Sequence, residues 1–357
     1  MNKPILRTGI ALRCPACKAG ELAESAGAVS CPNCSARFAA DANGVIDLTV
    51  TLSHAENIQR KTYDETRAGH QQTSDPWHCF VSPTGLRHRR WLRRLKLTPG
   101  MTFLEAGCGS GALTDSISSN TGATGFAIDI SPASIAGQLV RRGNRESFDV
   151  AVASALELPF ADATFDAMVC TDLVEHLPDP AAFYDQAARV LKPGGQLLVR
   201  CNVLDFGLTL DWLRFQLHRK RWLARIAGSG HFYENFRTRK QHRAITAKAG
   251  LRMLSRQGFD IGWDNLLEYH ILPVIYGLRR ADGVEGDGSG GGADAKANGI
   301  RLRTPMDLPH RAARTLSRLL FVALWPEHLL GKLGFGASEW MLLQRDGTTP
   351  SSAATGF

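Results

Sequence analysis

The chain lacks any apolar run long enough to cross a bilayer: its longest, Leu319 to Trp325, falls well short of the about 20 residues a spanning helix needs. It also lacks the apolar centre of a secretory signal, because Arg13 interrupts the stretch Gly9–Leu12 that follows Lys3 and Arg7. Both absences predict cytoplasmic residence. There is no internal repeat, which excludes solenoid and propeller architectures. An evenly spaced disulfide framework is missing too: of eight cysteines, Cys79, Cys108, Cys170 and Cys201 are scattered and the other four form two tight pairs. That usage predicts reduced thiols, with metal at the pairs.

What remains is an ordinary globular composition, 44% hydrophobic and 21% charged over 357 residues, enough to bury a sizeable core. Lys plus Arg number 42 against 34 acids, a formal charge of +8. Such a balance favours an acidic partner, nucleic acid or anionic membrane, without choosing between them.

Residues 1–50 hold few large apolar side chains, so something other than packing must organise them. Cys14-Pro-Ala-Cys17 and Cys31-Pro-Asn-Cys34 are separated by 13 residues. Each pair offers two thiolates from one tight turn, and four fill a tetrahedral Zn2+ with no position left for an activated water. Cys14, Cys17, Cys31 and Cys34 therefore predict a structural zinc site whose metal supplies folding energy; the competing reading is a redox dithiol. With the text Phe38 to Leu48, this region resembles the small zinc ribbons of the Trm112-like type.

Residues 51–98 turn from polar to basic and suggest a linker followed by a docking helix over Arg87–Arg94. From 99 to 347 apolar runs alternate with helical stretches. Met101–Ala106, Ala123–Asp129, Phe148–Ala153, Phe165–Cys170 and Gln196–Cys201 read as strands, with Leu251–Ile261 and Glu339–Gln344 to follow. That rhythm predicts an α/β fold, a parallel sheet with helices on both faces. The basic stretch 205–249 reads as helical, 205–235 and 280–335 as cap insertions, and 348–357 as a disordered tail. The Gly/Asp/Ala-dominated segment 282–298 reads as a flexible loop. On 311–325, Leu316, Leu319, Leu320, Ala323 and Leu324 share one helical face while Arg311, Arg314 and Arg318 share another. This predicts a lid over an apolar substrate or a contact with the inner face of an anionic membrane, against ordinary packing.

Glu105-Ala-Gly107-Cys108-Gly109-Ser-Gly111 follows a predicted strand and opens a helix. Glycines there allow a sharp turn and close approach of a ligand, and the helix start offers free amides. Alone the loop also suits a dinucleotide or a tight turn with no ligand, and Asp129, at the end of the second strand, suits a ribose in either family. The ordered set Glu105–Gly111, Ile128-Asp129-Ile130-Ser131, Leu158-Pro-Phe160 with Phe165-Asp166, Glu175-His176-Leu177 and Leu191-Lys-Pro-Gly-Gly195 resembles class I S-adenosylmethionine-dependent methyltransferases. The likeness is to the type 11 set that includes the ubiquinone and menaquinone enzymes.

The resemblance implies a Rossmann-like seven-stranded sheet and S-adenosyl-L-methionine as cofactor. Gly107, Cys108 and Gly109 would lie along its methionine part, with Glu105 near its amino group. Asp129 would accept from the ribose hydroxyls, Ile130 would pack on adenine, and Ser154, Ala155 and Thr171 would complete the site. Where the family often holds the adenine amine with an acid, this chain has Ser154-Ala155, which accepts without charge assistance.

Methyl transfer needs alignment above all, and a base only for a poor nucleophile such as a hydroxyl. His176 is the candidate base; a packing or capping histidine is the alternative. Asp172, Glu175 and His176 partly match metal-assisted catechol methyltransferases, but no magnesium is assigned to them. No Asn-Pro-Pro-aromatic element follows the fourth strand and no Pro-Cys nucleophile is present, which disfavours adenine amino-group and cytosine C5 methylation. His231 and Tyr233 could line the acceptor pocket or anchor a solvated basic helix.

The favoured expectation is transfer to a small or lipid-linked acceptor, quinone-precursor-like or glycolipid-like, beneath the cap. The alternatives are an RNA methyltransferase using the ribbon and basic helices, and a non-catalytic partner-binding pseudo-methyltransferase. Basic residues spread over separate helices with few interleaved aromatics disfavour RNA.

Overall fold

The computed structural model describes residues 5–67, 83–109, 111–143, 146–205, 235–260 and 325–347, apart from single positions at 26 and 334, with isolated residues at 209–223 and at 319. The predicted cap segments 205–235 and 280–335, including most of 311–325, the loop 282–298, His231, Tyr233 and the tail lie largely or wholly outside the described residues.

Three short strands, β1 (Ala23–Ser25), β2 (Ala28–Ser30) and β3 (Arg37–Ala39), form an antiparallel ribbon. The main sheet has seven strands: β4 (Thr102–Ala106), β5 (Thr124–Asp129), β6 (Phe148–Val152), β7 (Phe165–Thr171), β8 (Leu191–Asn202), β9 (Leu251–Phe259) and β10 (Ser338–Arg345). Their order is β6-β5-β4-β7-β8-β10-β9. The first five run parallel and β10 is antiparallel to both its neighbours. Each strand predicted from the apolar runs is present. β8 begins earlier than its apolar run because Leu191 already pairs with Phe165, and the Lys-Pro-Gly-Gly turn is absorbed as a register shift before Gln196 meets Ala167.

The described helices are α1 (His54–Arg67), α2 (Pro83–Leu92), α3 (Ala112–Thr121), α4 (Pro132–Arg142), α5 (Pro180–Val190), α6 (Arg239–Lys248) and α7 (Trp325–Lys332). Their starts are written in the sequence. Pro132 and Pro180 follow the N-caps Ser131 and Asp179, whose side chains accept from the first-turn amides, and Thr238 with Gln241 closes a capping box on α6. Proline costs nothing at the first helical position, where no N–H is needed, and the cap oxygens satisfy N–H groups that lack a helical partner.

The polar text of 51–67 predicts a linker, yet α1 stands there. It begins at a reciprocal pair: Ser53 N and Oγ donate to Glu56 Oε2 at 2.9 and 2.7 Å, and Glu56 N donates back to Ser53 Oγ at 3.3 Å. Apolar periodicity misses this helix because the side chains it buries include Glu56 and Gln59.

The ribbon shares its core with the main sheet. Ile10, Leu12, Leu22, Val29, Ile46 and Leu48 are buried in the same cluster as Leu104, Phe126 and Phe160. Residues 46–48 run alongside β6, Val152 donating to Ile46 O and Leu48 to Val152 O at 2.8 Å each. The fully buried Asp149 of β6 accepts from Arg7 N, Thr8 N and Thr8 Oγ1. Segment 1–50 thus obtains the apolar partners it lacks by borrowing the face of a larger sheet.

Candidate active site and cysteine cluster

The predicted site residues converge at the carboxyl ends of the parallel strands. Glu105 is the penultimate residue of β4, Asp129 ends β5, Ser154 and Ala155 follow β6, and Thr171 ends β7. In open parallel sheets this edge, near the point where strand order reverses, is where ligands bind.

The turn after β4 needs its glycines. Gly107, Gly109 and Gly111 all have positive φ, at 71°, 48° and 75°, a region side chains avoid. A Cβ on Gly107 would also lie 3.1 Å from Leu173. Asp129 is held ready by this turn: its Oδ2 accepts from Gly109 N and its Oδ1 from Ser131 N, both at 2.9 Å.

Glu105 is buried, and Thr114 Oγ1 donates to its carboxylate. Burial raises its pKa to about 8, with Asp129 adding a smaller push and Thr114 opposing. A neutral acid at the root of the glycine turn is an unused charge partner for a cationic group.

Among the described residues Asp172, Glu175 and His176 do not gather as a set of metal ligands. Asp172 pairs with Arg200. Glu175 is buried, accepts from Asn202 N and Nδ2 at 3.2 and 2.8 Å, and is raised to about 8 by burial and then by Asp172. His176, also buried, meets the Tyr63 hydroxyl 3.2 Å from Nε2 and 3.3 Å from Nδ1.

Sequence reasoning missed the contribution of α1. This helix reaches three of the site loops: Asp64 accepts from Ser131 Oγ at 2.6 Å after β5, Glu56 from Ser154 Oγ at 2.5 Å after β6, and Gln59 donates to His176 O at 3.0 Å after β7. The signal that could have found it is Ser53-x-x-Glu56, a capping-box spelling followed by a run free of glycine and proline.

In the ribbon, Cys14, Cys17, Cys31 and Cys34 place their sulfurs within 4.8 Å of one another, with Cys14–Cys34 at 3.7 Å and Cys17–Cys31 at 3.6 Å. Four sulfurs at the usual zinc distance would be about 3.8 Å apart along each tetrahedral edge, so the cluster fits that ion. Backbone amides of Ala19 and Gly20 lower the Cys17 thiol to about 6, whereas Cys34, against its Ala36 amide, is pushed up to about 12 by burial and by the three neighbouring sulfurs.

A family profile described as "Methyltransferase domain" matches residues 104–199. The ubiquinone biosynthesis O-methyltransferase of Xylella fastidiosa (strain 9a5c) is 33% identical over 160 residues, covering 43% of this chain and 62% of that protein. Its namesake from Xanthomonas oryzae pv. oryzae (strain PXO99A) is 38% identical over 104 residues, covering 28% and 42%. The chain therefore spans less than two thirds of the length of these relatives. Among solved structures, Haemonchus contortus phosphoethanolamine N-methyltransferase 2 in complex with S-adenosyl-L-methionine is 18% identical, with a TM-score of 0.48, covering 85% of this chain and 62% of that one.

Proposed function

From a chain built around a class I S-adenosylmethionine-dependent methyltransferase domain, we propose an enzyme that methylates a hydroxyl on a small or lipid-linked acceptor, quinone-precursor-like in chemistry. The observation that carries this reading is the meeting of Glu105, the Gly107–Gly109 turn and Asp129 at one sheet edge.

The residues present fit the cofactor. Glu105 offers a buried carboxyl to its ammonium, Gly107, Cys108 and Gly109 leave backbone room for its methionine part, and Asp129 offers a carboxylate to its ribose. Ile130, Ser154, Ala155 and Thr171 complete the walls. When bound, that cofactor supplies an electrophilic methyl group on a sulfonium. The protein's own task is then alignment and exclusion of water. His176 takes the acceptor hydroxyl's proton, held in orientation by Tyr63.

Two further assignments accompany this reading. The four cysteines hold a structural Zn2+. The face beside α7 meets an anionic membrane surface: Leu329 and Leu333 are 49% and 69% exposed, and the exposed cations Arg90 and Lys332 act on neighbouring His328. Exposed leucines beside clustered cations suit an anionic lipid interface. Among the described residues no helix is long and apolar enough to cross a membrane.

A tritiated-methyl transfer assay on lysate fractions tests the function. Counts in the lipid or small-molecule fraction are expected. Counts in RNA would replace the acceptor class, and the absence of transfer to any fraction would remove the activity.

A further inference from the structure

Three elements meet where β9 closes one side of the main sheet, and each brings two polar side chains to the seam. Arg90 lies in the last turn of α2, and Arg94 follows one turn later. Ser255 and Gln257, two apart in β9, share one of its faces. His328 and Lys332 stand one turn apart on α7. Hydrogen bonds join the three: Arg94 Nη1 donates to Ser255 Oγ at 2.5 Å, Arg90 Nη1 meets His328 Nε2 at 2.9 Å, and Gln257 Nε2 meets His328 Nδ1 at 2.6 Å while donating to His328 O at 3.2 Å. The Arg94 guanidinium also lies over the Trp91 ring, 4.3 Å from its centre.

This ring of contacts holds more donors than it can use. A guanidinium only donates, and the Gln257 amide nitrogen is turned toward His328 by the carbonyl it also serves. Both imidazole nitrogens therefore face N–H groups, yet a neutral imidazole accepts at one nitrogen and a protonated one at neither. At least one donor is left over in either state. Charge is unbalanced in the same sense. Among the described residues no carboxylate pairs with Arg90, Arg94 or Lys332. Burial, then Arg90, Lys332, Arg87 and Arg94, hold His328 down to about 4, and burial with Arg90 lowers Arg94.

We infer that the seam of α2, β9 and α7 is a seat for a phosphate monoester, with Arg90, Arg94 and Lys332 as its cations. Such a group has a charge of about −1.5 to −2 at neutral pH and three acceptor oxygens. It takes up the surplus donor and answers three cations that come from separate directions. A carboxylate, with one charge and two oxygens, would leave part of that field unanswered. Arg94, flat on Trp91 and tied to Ser255, is held in place before a ligand arrives, so little freedom is lost on binding. Arg90 and Lys332 are exposed and close the rim. Four strands separate β9 from β5 and its Asp129, so the seat is distinct from the cofactor edge. It lies on the face assigned above to an anionic membrane but does not depend on that assignment, because a soluble phosphomonoester and a lipid headgroup offer the same chemistry.

The test is calorimetric titration of the full zinc-loaded chain, at fixed ionic strength, with glycerol 3-phosphate and with phosphatidylcholine vesicles containing phosphatidic acid. One saturable site for glycerol 3-phosphate is expected. Arg90→Gln and Arg94→Gln, each removing a charge-assisted hydrogen bond, should weaken it at least about tenfold. Arg94→Lys, which keeps the charge and loses the fork, should weaken it too, whereas Arg93→Gln, at an exposed position beside the seat, should not. Vesicles bound more tightly than glycerol 3-phosphate, and released by the same substitutions, would support the seat with a lipid source; equal affinity would support it with a soluble one. The inference is overturned if glycerol 3-phosphate shows no saturable binding, or if neither Arg90→Gln nor Arg94→Gln weakens it. Vesicle binding that survives both substitutions would overturn the seat and leave the membrane assignment standing. If Arg94→Gln does not fold, Arg90→Gln and Lys332→Gln, both at exposed positions, decide in its place.

Discussion

Tyr63 and His176, 113 residues apart in sequence, meet hydroxyl to imidazole at 3.2 Å, with their rings edge to face at 79°. Only α1 brings them together. If His176 takes the acceptor proton, His176→Gln should lower kcat about 10²- to 10⁴-fold, the usual worth of a general base, with cofactor affinity unchanged. Tyr63→Phe should lower kcat less, by about tenfold. Steady-state kinetics with direct cofactor titration checks this, and an unaltered kcat in His176→Gln would return the histidine to a packing role.

Glu105 ties cofactor affinity to pH. Its pKa of about 8 leaves it neutral at pH 7, so an ammonium-bearing ligand must displace a proton to gain the ion pair. Affinity for S-adenosyl-L-homocysteine should tighten up to about tenfold per pH unit between pH 6 and 8 and then level off. Calorimetry at pH 7 in buffers of different ionisation enthalpy should report release of about one proton, and Glu105→Gln should abolish both effects.

The same burial sets a stability trend. Glu105 and Glu175 are raised from 4.5 to about 8 in the folded state, so between those values the folded chain holds protons that the unfolded chain has released. Their contribution to stability is present below about pH 4.5 and is lost as pH rises to about 8. Below about pH 6.5 the trend is offset by His242 and His328, which burial lowers from 6.5 to about 4, so the unliganded protein should show Tm falling between about pH 6.5 and 8, with Glu175→Gln flattening the slope.

The ribbon should not unfold by itself. Asp149 fastens residues 7 and 8 to β6, and residues 46–48 extend the same edge. Asp149→Asn, which turns an acceptor into a donor facing donors, should cost about 1–3 kcal/mol of global stability. Zinc measured by plasma emission should be near one equivalent. Its chelation should lower the Tm of one cooperative transition, whereas a separate early transition would contradict the shared core.

At the face beside α7, vesicle sedimentation should show binding to anionic but not zwitterionic lipid, reduced by salt and by Leu329→Ser with Leu333→Ser. Equal binding to both lipid types, or none, would contradict the membrane assignment.

The sheet was legible because buried parallel strands are continuous apolar runs, and the turn after β4 because glycines grouped between a strand and a helix mark positive-φ positions. Asp129 falls at its strand end and the four cysteines in one cluster, as such patterns put them, whereas Leu191 joins β8 ahead of the apolar run. What stayed hidden is α1. Its inward residues Glu56, Gln59 and Tyr63 are polar or amphipathic and bury themselves by hydrogen bonding to Ser154 and His176, contacts between segments about 100 residues apart. Periodicity reports apolar burial; it is blind to a helix held by polar ones.

The central claim is that Asp129 and Glu105 together hold an adenosyl amino acid at the mouth of β4 and β5. Calorimetric titration of S-adenosyl-L-homocysteine into the wild type and Asp129→Ala tests it most directly. One-to-one binding that is lost in the variant, while its fold is retained by circular dichroism, is the predicted result. Equal affinity in both proteins would contradict the claim.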